Sequence, residues 1–140
     1  MAIIEKGTFF LDHHALKDFR EKPKFMITLS NAEDENDRLV CFSLNTEHRM
    51  DKYHVGCNTG KAKYILSPDI YKFSFLKNFT YLKLDEPLLY YVEELFDKKI
   101  QVFEQDKADN NLLRQIKNCI DNGYLLPIHI ELIKRAFEKK

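Results

Sequence analysis

Lys24 opens one apolar run, Lys24-Phe25-Met26-Ile27-Thr28-Leu29, and Thr46 closes a second that begins at Arg38. Both runs are rich in Phe, Ile, Val, Thr and Leu, the residues that favour a pleated, half-buried strand. Paired as a hairpin, the start of the first lies beside the end of the second. An ammonium and a hydroxyl then meet at one rim of a sheet. A phosphoryl centre needs positive charge and fixed hydrogen-bond donors where negative charge develops. Lys24 offers the charge on backbone stiffened by Pro23. Thr46 offers the hydroxyl, and Asn45, His48 and Arg49 add donors within a few residues. A histidine at 48 could carry a proton near neutral pH. A carboxylate at Glu47 could take one, or could repel a phosphate. The plainer alternative makes Lys24 the gatekeeper of an edge strand and Thr46 a turn former.

A second constellation follows directly. Residues 48–84 hold seven basic side chains against two acidic ones, interleaved with Tyr53, Tyr64, Tyr71, Phe73, Phe75, Phe79 and Tyr81. Single-stranded nucleic acid is bound by such pairing, with aromatic faces under bases and cations under phosphates. Tyr53 and Lys61 lie in the polar connection and are the exposed contacts expected. The alternative is that alternate rings build a core while the lysines keep the other face wet.

Other groups offer less. His13, His14, His48, His54 and Cys57 could in principle gather round zinc, but His54-x-x-Cys57 is the only tight pair, so no metal site and no cofactor are expected. The acidic run Glu33-Asp34-Glu35-Asn36-Asp37 reads as a solvated hairpin tip. With four glycines in the whole chain there is no phosphate-binding glycine loop, nucleophile elbow or dinucleotide fingerprint. The formal net charge is zero, which excludes bulk basicity as a source of nucleic-acid affinity; only local fields remain. Three cysteines without a CxxC pair or a leader predict reduced thiols in the cytoplasm, with Cys41 and Cys119 as small core residues. No apolar run approaches the ~20 residues a membrane helix needs.

Around these residues, 140 positions with 44 % hydrophobic content suit one domain with its own core. Strands are expected near Thr8–Leu11, Lys24–Ser30, Arg38–Asn45, Ala62–Leu66, Tyr71–Phe75 and Phe79–Leu84, with a helical turn or long loop over 12–21. From Asp85 the pattern turns helical. Asp85 reads as an N-cap with Pro87 in the first turn, followed by Leu88, Leu89, Val92, Leu95 and Phe96 at helical spacing. Ile100, Val102 and Phe103 fit either a last strand or a loop. Asp109 precedes an amphipathic stripe, Leu112, Leu113, Ile116, Cys119 and Ile120, that stops at Gly123, and Pro127 opens a final helix. The fold class is α+β: residues 1–84 a β-rich body, residues 85–140 mainly helical.

The order Gly7-x-Phe9-Phe10-x-Asp12, Lys22-Pro23-Lys24-Phe25-x-Ile27, an apolar strand ending in Asn45-Thr46, a strand carrying Ser74, and then helices resembles the MazF/PemK/ToxN group of toxin ribonucleases. MazF-type members have Arg-Pro where this chain has Lys22-Pro23 and a Thr or Ser at the end of the third strand; ToxN-like members share Pro-Lys before an apolar strand, and where a Thr-Ser pair is expected this chain has Thr46-Glu47. The resemblance implies a small SH3-like antiparallel β-barrel followed by C-terminal helices. It also implies metal-independent cleavage of single-stranded RNA, in which the ribose 2′-OH attacks its own phosphodiester; DNA lacks that nucleophile. Lys24 would match the cation and Thr46 the hydroxyl, with Glu47 or His48 moving protons. RNA contacts would come from Lys22, Arg49, Lys52, Tyr53, Lys61 and Ser74. The implied partners are the RNA substrate, an antitoxin (protein or RNA) and a second copy of the chain. A barrel that binds RNA or a protein without cutting is the alternative reading.

Overall fold

The computed structural model of the chain describes residues 3–13, 23–96 and 100–138. The order is β1 (Thr8–Asp12), β2 (Lys24–Thr28), β3 (Arg38–Thr46), β4 (Gly56–Asn58), β5 (Lys63–Leu66), β6 (Thr80–Lys83), β7 (Leu88–Tyr91), β8 (Ile100–Lys107), α1 (Asn110–Cys119) and α2 (Pro127–Glu138). The chain is α+β, as its patterning predicts. One antiparallel sheet takes the order β4-β5-β6-β3-β2-β1-β8, with β7 also pairing β3. Among the described residues β4 and β8 are the ends of that order and do not pair, so the sheet stays open where a closed barrel is expected.

β3 organises the molecule. Along one edge its middle, Cys41–Leu44, pairs with β2; along the other Arg38–Cys41 pair with β7 and Leu44–Thr46 with β6. Side chains alternate between faces along a strand. Val40, Phe42 and Leu44 therefore enter the main core with Phe9, Ile27, Leu29, Leu82 and the buried stripe of α1, Leu112, Leu113 and Ile116. Leu39 and Cys41 face the other way, into a smaller cluster with Phe10, Met26, Tyr90, Val92 and Leu95. β7 and the 3-10 turn that follows it, Val92–Phe96, contribute Tyr90, Val92 and Leu95 to that second face.

Two expectations fail for identifiable reasons. The helix expected from Asp85 is instead β7 and its 3-10 turn: Arg38–Cys41 leave an edge that Leu88–Tyr91 pairs with, and tertiary pairing overrides local periodicity. Tyr71, Phe73 and Phe75 alternate as a strand would, with Lys72 and Ser74 exposed, yet form no ladder. That segment lies on the core as a loop. Its backbone donors go elsewhere, Ser74 N–H to the Asp106 carboxylate at 3.1 Å and Leu76 N–H to the Phe73 carbonyl at 3.0 Å.

The helices follow the sequence more closely. Asp109 caps α1, its side chain accepting from Leu112 N–H at 2.8 Å, and Pro127 starts α2. At the join of β1 and β8, Gly7 holds φ +87°, and a Cβ there would sit 2.8 Å from the Ala108 carbonyl oxygen. The cysteines depart from expectation. Cys57 on β4 and Cys119 at the end of α1 form a disulfide across 62 residues of chain, and Cys41 alone is a buried free thiol. Three reduced thiols are not what the fold contains.

Candidate functional site

The hairpin of β2 and β3 brings its predicted residues to one rim. Phe25 pairs with Leu44, so Lys24 stands opposite Asn45, and its ammonium donates to the Asn45 side-chain oxygen. Asn45 in turn donates through Nδ2 to Ser43 Oγ at 3.1 Å. On the other side of Lys24 lies Asp12, its register partner on β1, whose carboxylate accepts the Tyr90 hydroxyl at 2.6 Å. Asp12 and Tyr90 are both buried, and burial, then this bond, pushes the Tyr90 phenol far above its ordinary range.

Alternation separates the two residues expected to cooperate. Lys24, Ser43 and Asn45 point to the second face, whereas Thr46 shares the face of Leu44 and Phe42. Thr46 is exposed and lines a groove of about 180 Å³ with Phe25, Leu44, Asn45, Phe75, Lys77, Asn78 and Thr80. Its floor is aromatic: Phe25 stacks on Phe75 with ring centres 5.1 Å apart and planes 18° from parallel. The stack continues to Phe103 on one side, and to Phe73 and Tyr71 on the other. At the rim, the side chains of Thr46, Lys77 and Asn78 make no hydrogen bond or ion pair to another described residue. A flat ring with polar edges fits such a groove, and an adjoining anion would find the Lys77 ammonium at its rim.

Glu47 is not a proton carrier in waiting. It is buried, its Oε2 pairs with Lys63 Nζ at 2.7 Å, and its Oε1 accepts from Arg49 N–H at 3.1 Å. Burial raises its carboxyl, but the Lys63 bond, the Arg49 N–H and the charges of Lys63 and His48 outweigh that and hold it below the ordinary 4.5. The carboxylate stays ionised and tied down. Lys63 also sits over the rings of Tyr53 and Tyr81, 4.1 Å from each centroid, so Tyr53 has one face engaged inside the protein.

The remaining predicted contacts scatter. Arg49 forms a two-pronged pair with Asp51 at 3.1 and 3.0 Å, well exposed. Lys52 is exposed on the connection from β3 to β4, Lys61 on the turn from β4 to β5, and His48 next to Glu47. Ser74 is not available to a phosphate, because its hydroxyl donates to Asp106 Oδ2 and fastens the aromatic loop to β8. Lys22 and His14 lie outside the described residues. Among the described residues no three His, Cys, Asp or Glu side chains gather as a metal would need, and Cys57 is committed to its disulfide.

The sequence does not single out Phe25, Asn78 or Thr80, and it offers Phe75 and Lys77 only as members of the basic aromatic segment 48–84. The signal was present in the ring-lysine interleaving of 71–83, but only the fold shows which rings share a groove with Thr46. Asp12, Ser43 and Tyr90 join Lys24 through sheet register, which no local pattern displays. No described helix is long and apolar enough to cross a membrane. Comparison with known proteins returns no matching family model and no matching curated protein.

Proposed function

We propose that this chain binds single-stranded RNA in the Phe25–Phe75 groove and cleaves it at the adjoining rim by 2′-OH attack. The observation that carries the reading is the groove itself, an aromatic floor edged by Thr46, Lys77 and Asn78, whose side chains bond to no other described residue, with Lys24 one register position away. A base stacked on Phe25 and Phe75 gains about 1–3 kcal/mol, whatever its identity. Its flanking phosphate then lies within reach of Lys77 and the strand ends. In the chemical step the 2′-oxygen bonds to phosphorus, the bond to the 5′-oxygen breaks, and the products are a 2′,3′-cyclic phosphate and a 5′-hydroxyl. Thr46 donates to a non-bridging oxygen, and Lys24, on the opposite face, offsets the added charge where the phosphate lies across the open end of the β2–β3 pair. The proton leaves the 2′-OH to solvent or to His48, the one predicted carrier that is exposed, and the departing 5′-oxygen takes a proton from solvent to become the hydroxyl.

Kinship with the SH3-like barrel toxin ribonucleases belongs to this reading, with the sheet here left open. So do a neutralising protein or RNA and a homodimer.

A second reading, binding without cleavage, has its own support. Lys24 and Thr46 occupy opposite faces of the sheet, and Glu47 is sequestered by Lys63. The test is incubation of a labelled single-stranded RNA with purified protein in excess EDTA, beside the variants Lys24→Ala and Phe75→Ala. Cleavage is expected from the wild type, its loss in Lys24→Ala with binding retained, and weaker binding in Phe75→Ala. Bound but intact RNA selects the second reading, and RNA neither bound nor cut rejects both.

A further inference from the structure

The two C-terminal helices enclose a second groove, of about 240 Å³, remote in sequence from the rim just described. Its apolar walls are Ile120 and Leu125 from the connection and Ile130 and Ile133 from α2. One lysine stands on each helix at its edge, Lys117 on α1 and Lys134 on α2, Asn122 adds an amide, and no acidic side chain among the described residues lines it. Beside it the apolar surface continues outward, with Leu126 61 % and Tyr124 48 % exposed. Among the described residues Lys134 is held only by an exposed Glu138 carboxylate 3.9 Å away, and Lys117 rests over the Phe137 ring. Both ammonium groups are therefore accessible to a stronger anionic partner.

An apolar slot between helices, flanked by a cation on each wall, matches an amphipathic segment placing two large apolar side chains inward and acids to either side. A basic segment would meet like charge on both walls. We infer that this groove docks an acidic amphipathic peptide segment of a partner protein, with Leu, Ile or Phe anchors seated between Leu125, Ile130 and Ile133. None of these residues is among those assigned to RNA, so loss of RNA binding would leave this groove intact.

The test is selection from a random 16-residue peptide display library on the immobilised full chain. Fluorescence anisotropy then follows with the enriched peptides. Enrichment of acidic amphipathic sequences is expected. Their affinity should drop about tenfold or more in Ile130→Glu and in the double variant Lys117→Glu/Lys134→Glu, and should weaken with salt. The double variant changes exposed side chains only, giving up the Lys117–Phe137 contact and the Lys134–Glu138 pair, and with its fold checked by circular dichroism it decides the matter if Ile130→Glu fails to fold. Absence of enrichment, enrichment of basic or non-amphipathic peptides, or unchanged affinity in the double variant overturns the inference. Self-association of the wild type by light scattering, abolished in the double variant, would instead assign the groove to a second copy. Displacement of the peptides by dodecanoate would leave the assignment standing only if dodecanoate binding survives the double variant while peptide binding does not.

Discussion

Glu47 shows how one side chain can be claimed by structure. With its carboxyl held below 4.5 and the Lys63 ammonium raised above its ordinary 10.5, each group favours the charged pair in the folded state. For Lys63, burial works against that rise and the Glu47 bond and charge supply it. The pair's contribution is complete between those ordinary values. It is lost as pH falls from 4.5 through the lowered Glu47 value, and as pH rises from 10.5 through the raised Lys63 value. Glu47→Gln should remove the acid-side loss, and Glu47→Ala should cost about 1.5–3 kcal/mol, both read from urea midpoints across pH. His129 works in the opposite chemical sense. Its buried ring accepts the Leu126 N–H at 2.9 Å through Nδ1, and burial holds it below its ordinary 6.5. Its neutral form is the one the fold wants, so stability falls as pH drops from 6.5 through the lowered value. Replacing His129 with Gln should flatten the urea-midpoint profile over that window, and a profile unchanged by the substitution would contradict this assignment.

At the scale of elements, β3 and α1 were legible because pattern and environment agree. Arg38–Thr46 alternates between two buried faces, and Asp109 with Leu112, Leu113 and Ile116 spells a capped amphipathic helix. β7 was not legible. Leu88, Leu89 and Val92 fit a helix locally, and only the vacant edge of Arg38–Cys41 makes them strand and turn. The rim residues divide in the same way. Lys24 and Thr46 could be placed at one end of a hairpin from strand order, whereas Asp12–Tyr90 and Phe25–Phe75 needed register and a loop folded over the core. Gly7 is the tightest junction between elements. Gly7→Ala should destabilise by more than about 1 kcal/mol, since its positive φ and the 2.8 Å approach to Ala108 both resist a side chain. Asp109→Ala should cost about 0.5–2 kcal/mol through the lost cap of α1. Thermal melts of the two variants, compared with wild type, check both values.

For the whole molecule, the Cys57–Cys119 bond ties the β4 end of the sheet to the helical layer. Closing 62 residues of chain, it should contribute about 2–4 kcal/mol. Cys57→Ser and a reductant should lower the melting temperature equally, and reductant should leave the variant unchanged. Sheet and helices together leave two surfaces of different chemistry: an aromatic, cationic rim at the ends of β2, β3 and β6, and an apolar slot between α1 and α2. The first carries the functional reading, and the ends of the cut strand test it most directly. Mass spectrometry of the products from a single-stranded RNA in excess EDTA should find 2′,3′-cyclic phosphate and 5′-hydroxyl termini. The same sequence made with 2′-deoxyribose throughout should come through intact. Cleavage of that deoxy strand, or 5′-phosphate termini from the RNA, would contradict the account.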